Sequence, residues 1–123
     1  MEIQSRLVAI VDDDASVCRA LSRVVRSLGF RTAVYASGEA LLGEAAGMPL
    51  DHVLLDLHLP GLRGTDLLQA LRSCSAATRV VVMTGLDRPG ARQACLAAGA
   101  VAYILKPVQS VELERLLAAS PPG

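Results

Sequence analysis

The sequence predicts an α/β domain, a doubly wound sandwich with five parallel strands and helices on both faces. Three observations predict it. Five short apolar runs alternate with longer segments of helical periodicity. Four of those runs are nearly continuous in apolar residues, as parallel strands covered on both faces are. Finally, the first, third, fourth and fifth runs stop at Asp12, Asp56, Thr84 and Lys106, so polar chemistry gathers where strands end.

The strand runs are Leu7–Val11, 31–36, 52–55, 80–83 and 101–105. The second, Arg31-Thr32-Ala33-Val34-Tyr35-Ala36, mixes polar with apolar residues and suits an edge. In the first helix Val17, Leu21, Val24, Val25 and Leu28 line one face, while Arg19, Arg23 and Arg26 fall elsewhere. Asp14 is placed to cap it, and Gly29 follows its end. A second helix follows Ser37-Gly38 and fades near 47–49. A third follows Gly64-Thr65 and carries Leu67, Leu68 and Leu71. The fourth is expected over 89–98, with Pro89 in its first turn and Gly99 as its stop. The fifth starts at Ser110 and carries Val111, Leu113, Leu116 and Leu117. Residues 1–119 read as one domain, and 120–123 as the start of a linker or a boundary.

Composition narrows the functions. Phe30, Tyr35 and Tyr103 are the only aromatics, so the core must be aliphatic. Twelve basic and twelve acidic residues cancel, which leaves no whole-domain field to recruit nucleic acid or an anionic membrane. No apolar run approaches the roughly 18 residues of a membrane span, and the first residues lack signal-peptide character. A soluble, cytoplasmic protein is expected. Cys18, Cys74 and Cys95 are odd in number and lack metal-ligand spacing, so they read as reduced thiols.

In open parallel sheets, ligands bind outside the carboxyl ends of the strands. Asp12 and Asp13 after the first strand and Asp56 after the third are therefore expected to meet at one rim. Crowded carboxylates repel, and a hard cation such as Mg²⁺ resolves the repulsion through oxygen coordination. Lys106 adds a point charge and Thr84 a hydroxyl. A carboxylate nucleophile, a cation cluster, a hydroxyl and a lysine suit phosphoryl transfer, where the protein's work is positioning and charge stabilisation.

These residues stand in four stretches: Ile10-Val11-Asp12-Asp13-Asp14, 55–64 around Asp56, Val82-Met83-Thr84-Gly85, and 98–107 ending in Lys106-Pro107. In that order the sequence resembles the response regulator receiver domain family from Leu7 to about Ala119. The resemblance implies a flavodoxin-like sheet of order 2-1-3-4-5. It implies Asp56 as phosphoacceptor, with Mg²⁺ held by Asp12, Asp13, Asp56 and the backbone carbonyl of His58. Thr84 would bond the phosphoryl group, Tyr103 would follow Thr84 as the switch aromatic, and Lys106 would pair with carboxylates and then phosphate. Pro107 would stiffen the backbone behind Lys106, through a cis bond if one forms. The implied partners are a sensor histidine kinase, an output domain (DNA-binding in the commonest arrangement) or partner protein, and a second copy. The last would meet it through the fourth helix, fifth strand and fifth helix.

Four residues decorate the pattern. Val108 stands where many receivers have an aromatic. His58 is either an exposed loop residue or one that tunes phosphate lifetime, and its side chain would point near the site in that family. His52 reads as a strand-edge residue rather than a ligand, and Asp14 as a cap rather than a third ligand. Two other functions share the residues. A haloacid-dehalogenase-like phosphatase would need an acid two residues after the nucleophile, where His58 stands, and a capping insertion. A phosphorylation-independent pseudo-receiver would be marked by loss of an acid, the Thr or the Lys, all of which are present.

Overall fold

A computed structural model describes residues 6–45, 50–58, 64–74 and 77–118. The fading of the second helix near 47–49, most of the loop after Asp56 and the 120–123 tail lie outside the described residues. Ten elements alternate in chain order: β1 (Leu7–Val11), α1 (Ala15–Ser27), β2 (Arg31–Tyr35), α2 (Gly38–Ala45), β3 (Leu50–Asp56), α3 (Gly64–Cys74), β4 (Arg79–Thr84), α4 (Ala91–Ala97), β5 (Ala102–Leu105) and α5 (Ser110–Ala118). All strand pairs are parallel, in the order β2-β1-β3-β4-β5.

The continuous apolar runs have a direct physical cause. Alternate residues of each central strand face opposite layers, and both layers are roofed by helices. Ala9, Val11, Val53, Leu55, Val80 and Val82 pack with Leu41, Leu67, Leu68, Leu71 and Cys95 from α2, α3 and α4. Val8, Ile10, Leu54, Val81 and Met83 pack with Cys18, Leu21, Val25, Leu113 and Leu117 from α1 and α5. Strand β2 lies at the edge and is mostly exposed or half-buried, as its mixed composition requires. Val108 packs against the α1–α5 layer, while Val111 projects into solvent.

Capping aligns the helices with the sheet. Asp14 is the N-cap of α1; its Oδ1 accepts from the backbone N–H groups of Ser16 and Val17 at 2.9 and 3.4 Å. Helix α4 ends in a Schellman turn: Ala100 N–H reaches the Cys95 carbonyl and Gly99 N–H that of Leu96. Gly99 has φ +117, a left-handed conformation that a side chain resists. The start of α4 corrects the sequence reading. Pro89 is not in its first turn, because Gly90 adopts φ +83 and the helix can begin only at Ala91.

His52 is a second correction. It is no edge residue: β3 is central and begins at Leu50, so the ring is fully buried, edge-on to Phe30 at 6.2 Å between centroids. Neither ring nitrogen has a hydrogen-bond partner among the described residues. Burial, reinforced by the positive charge of Arg79, lowers its pKa to about 4. The folded value lies below the roughly 6.5 of an unfolded histidine, so the fold must discharge this ring. Its contribution is fully present above pH ~6.5 and is lost as the pH falls to about 4, up to about 3 kcal/mol. Urea unfolding of wild type and His52→Leu across that window is expected to show a markedly shallower pH slope in the variant. Equal slopes would refute the assignment.

Candidate functional site

The carboxyl ends of β1, β3, β4 and β5 form one rim because every strand runs the same way. At the first end, Asp12 is 2% exposed and held at three points. Its N–H donates to the Tyr35 carbonyl at 3.1 Å, fixing it to the end of β2. Its Oδ1 accepts from the Asp14 N–H at 2.9 Å, and its Oδ2 from Lys106 Nζ at 2.8 Å. Asp13, next in the chain, is exposed. Asp14 is occupied as the α1 cap, and hydrogen bonds from Ser16 and Val17 lower its pKa.

At the end of β3, Asp56 is 7% exposed. Its Oδ1 accepts from the His58 N–H at 3.1 Å, and its Oδ2 lies 3.5 Å from Lys106 Nζ. Asp12, Asp13 and Asp56 each present a carboxylate oxygen, all within 4.8 Å of one another. Lys106 bridges two of these acids. Burial works against its charge, but the bond to Asp12 and the charge of Asp56 outweigh it and hold the pKa above the ordinary lysine value. The ammonium therefore stays charged across the physiological range. The Lys106–Pro107 bond is cis, and Lys106 N–H donates to the Thr84 carbonyl at 2.8 Å, tying β5 to β4 above the last rung of the sheet.

Thr84 is fully buried at the end of β4. Its hydroxyl is turned onto its own loop, donating to the Leu86 carbonyl at 3.0 Å and accepting from the Leu86 N–H at 3.1 Å. Tyr103, on β5 beside Val82, is buried and donates its phenol to Asp87 Oδ1 at 3.0 Å. The His58 residue is exposed; its described tie to the site is its backbone N–H on Asp56, not its ring.

The structure thus joins Asp12, Asp13, Asp56 and Lys106 directly, and brings Thr84 and Tyr103 to the same end of the sheet. Two participants had no sequence signal. Cys18, one turn into α1, donates its thiol to the Asp12 carbonyl at 3.3 Å. Burial and the nearby Asp12 charge raise its pKa, which makes it a structural thiol rather than a nucleophile. Asp87 lies in an irregular loop whose path follows from tertiary packing.

Three clustered carboxylates, two of them paired with one ammonium, predict an asymmetry in stability. In metal-free buffer, Asp13→Ala is expected to keep or raise the melting temperature, because it removes repulsion and no packing. Lys106→Ala strands the buried Asp12 charge and should cost about 1–3 kcal/mol. Thermal unfolding of the two variants checks the sign, and a destabilised Asp13→Ala would contradict it.

Comparison with known proteins places this rim in context. The family profile described as response regulator receiver domain matches residues 8–118. The DNA-binding response regulator MtrA of Mycobacterium tuberculosis is 37% identical over 113 residues, covering 92% of this chain and 49% of MtrA. The sensory/regulatory protein RpfC of Xanthomonas campestris pv. campestris is 33% identical over 120 residues, covering 94% of this chain and 16% of RpfC. The chain therefore spans about half of one curated relative and a small part of the other. A CheY-like receiver domain protein from Methanospirillum hungatei superposes with a TM-score of 0.88 at 25% identity, covering 94% of this chain and 92% of its own.

Proposed function

The chain belongs to the response regulator receiver domain family, and from that premise we propose that it is a phosphorylation-dependent switch whose acceptor is Asp56. The observation that carries the reading is the Lys106 bridge, 2.8 Å from Asp12 and 3.5 Å from Asp56, over three clustered carboxylates. A structural ion pair needs one acid and one base; here an acceptor-rich rim is kept under a single counter-charge.

A carboxylate oxygen of Asp56 attacks the phosphorus of a phosphohistidine or small acyl phosphate. The new O–P bond forms as the donor's N–P or O–P bond breaks, and the donor keeps the electron pair. Asp12, Asp13 and Asp56 are hard oxygen donors close enough to share one Mg²⁺, with the His58 carbonyl as a further ligand. Bound there, the cation supplies the positive charge that lets an anionic donor approach carboxylates. Lys106 holds Asp56 in position beforehand and pairs with the phosphoryl oxygens afterwards. The arginines Arg19, Arg23 and Arg26 of α1, a helix without an acidic residue, offer a positive approach beside the site.

Phosphorylation adds about −1.5 to −2 charge and strong acceptor oxygens. Thr84 must then exchange its Leu86 bonds for the phosphoryl group, which moves the loop after β4 and biases the packing of α4, β5 and α5. That side carries Leu86, Leu96, Val101, Leu105 and Val111, five of the six large hydrophobics exposed among the described residues. We take it as the surface that meets an output domain, a partner protein or a second copy. A sensor histidine kinase is the proposed donor and the cytoplasm the proposed location; no helix among the described residues is long and apolar enough to cross a membrane. The domain acts as a signalling protein whose own chemistry is confined to gaining and losing its phosphoryl group. The exposed His58, two residues beyond the acceptor, tunes the lifetime of that group in this reading.

With Mg²⁺ and a small acyl phosphate, the chain should take up one acid-labile phosphoryl group, and Asp56→Asn none. Undiminished labelling of that variant refutes the acceptor. Thr84→Ala should still be labelled, yet leave hydrogen exchange across 101–118 unchanged on adding beryllofluoride. A wild-type exchange response in Thr84→Ala would rule out Thr84 as the coupling group.

A further inference from the structure

Beside the carboxylate rim, a groove of about 650 Å³ runs between α1 and the outer strand β2. Small-molecule sites span roughly 300–1,000 Å³, so this one is of ligand size. Its floor is the edge of the sheet. Val34 is the register partner of Ile10 and faces the α1 layer, yet at the edge it stays 50% exposed. Among the described residues it is the one exposed large hydrophobic that lies away from the α4–β5–α5 side. The wall is α1, which contributes Arg19, Ser22, Arg23 and Arg26. Arg26 Nε donates to the Thr32 hydroxyl at 3.2 Å and ties the far end of the wall to β2. Asp12 and Asp13 line the near end. No carboxylate lies within ion-pair distance of these three arginines among the described residues. Arginines three and four residues apart on a helix repel, and a face that only had to stay in water would alternate them with acids.

We propose that the α1–β2 groove binds an organic phosphate of about nucleotide size, with its phosphates on Arg19 and Arg23 and its uncharged body on Val34. Guanidinium forks match phosphate oxygens two at a time, and residues four apart on a helix lie side by side. Arg26 is partly occupied by Thr32, which leaves Arg19 and Arg23 as the free pair. A bare inorganic anion leaves Val34 in water, and a purely apolar ligand leaves the arginines without a counter-charge. A ligand that is anionic at one end and uncharged at the other satisfies both surfaces. The near end adds a condition, because Asp12 and Asp13 repel phosphates that approach the rim. Neutralising an acid there therefore strengthens binding. The site is separate from the proposed phosphoacceptor chemistry and does not depend on it.

Adenosine diphosphate serves as the probe, with adenosine and pyrophosphate as its separated halves. Titrated into the ¹⁵N-labelled chain in metal-free buffer, it should move the amides of 18–26 and 32–36 saturably at millimolar concentration or below. Added salt should weaken the binding. Adenosine should bind at least about tenfold more weakly, and pyrophosphate about fivefold. Arg23→Ala should lose about tenfold in affinity, and Arg23→Lys less, since it keeps the charge without the fork. Asp13→Asn should bind the probe about twofold to fivefold more tightly than wild type. The absence of a saturable shift, or a shift centred elsewhere, overturns the proposal. Wild-type affinity in Arg23→Ala, or adenosine binding as tightly as the diphosphate, overturns the arginines as the seat. Pyrophosphate binding as tightly as the diphosphate overturns the organic body, and unchanged affinity in Asp13→Asn overturns the placement beside the rim. A glutamate-rich helical peptide that moves these amides where the diphosphate does not would assign the groove to a protein partner instead. None of these readouts involves phosphorylation, so they decide the groove whether or not Asp56 takes label.

Discussion

A carboxylate that is almost wholly removed from water needs a partner, and at Asp12 that partner comes from 94 residues away. The Lys106 ammonium reaches over the ends of β3 and β4 to meet it, and spans Asp56 on the way. Losing the pair would leave a buried charge uncompensated, which costs far more than an exposed ion pair gains. The rim therefore depends on β5 being in place, and β5 on the turn that delivers Lys106. With three acids and one base, the compensation is partial. The rim remains receptive to further positive charge.

The sheet supplies the rigidity that this arrangement needs. Two aliphatic layers grip β1, β3 and β4 from both sides, so the residues just past their ends have little freedom. The loop beyond β4 differs: residues 85–90 are exposed, the Thr84 hydroxyl is bonded within that loop to Leu86, and the Asp87 carboxylate accepts from Tyr103 of β5. Acids fixed by the sheet thus stand beside a hydroxyl that is held only by its own loop.

Much of this was legible along the chain. Uninterrupted apolar runs identified central strands because burial on both faces leaves no polar position, and the mixed 31–36 run marked the edge for the opposite reason. Asp14 and Gly99 were readable as helix boundaries because capping is local chemistry. The misread positions share a cause. The histidine at 52 looked peripheral because the strand's first residues, Leu50 and Asp51, were left out of the run, and its neighbour Phe30 comes from a loop 22 residues away. Pro89 suggested a helix start by propensity, but Gly90 takes a left-handed conformation that the local pattern does not reveal.

By itself, the sequence determined which groups stand at the strand ends and, through alternation and capping, that those ends share one rim. Periodicity and caps act over a few residues, so they can be read without knowing the partners. Only the tertiary structure decided which of those groups touch. Lys106 selects Asp12 over Asp56 as its closer partner, Thr84 turns to Leu86, and Tyr103 finds Asp87. Each choice is a contest between hydrogen-bond acceptors a few ångströms apart, settled by strand register and loop path rather than by residue type.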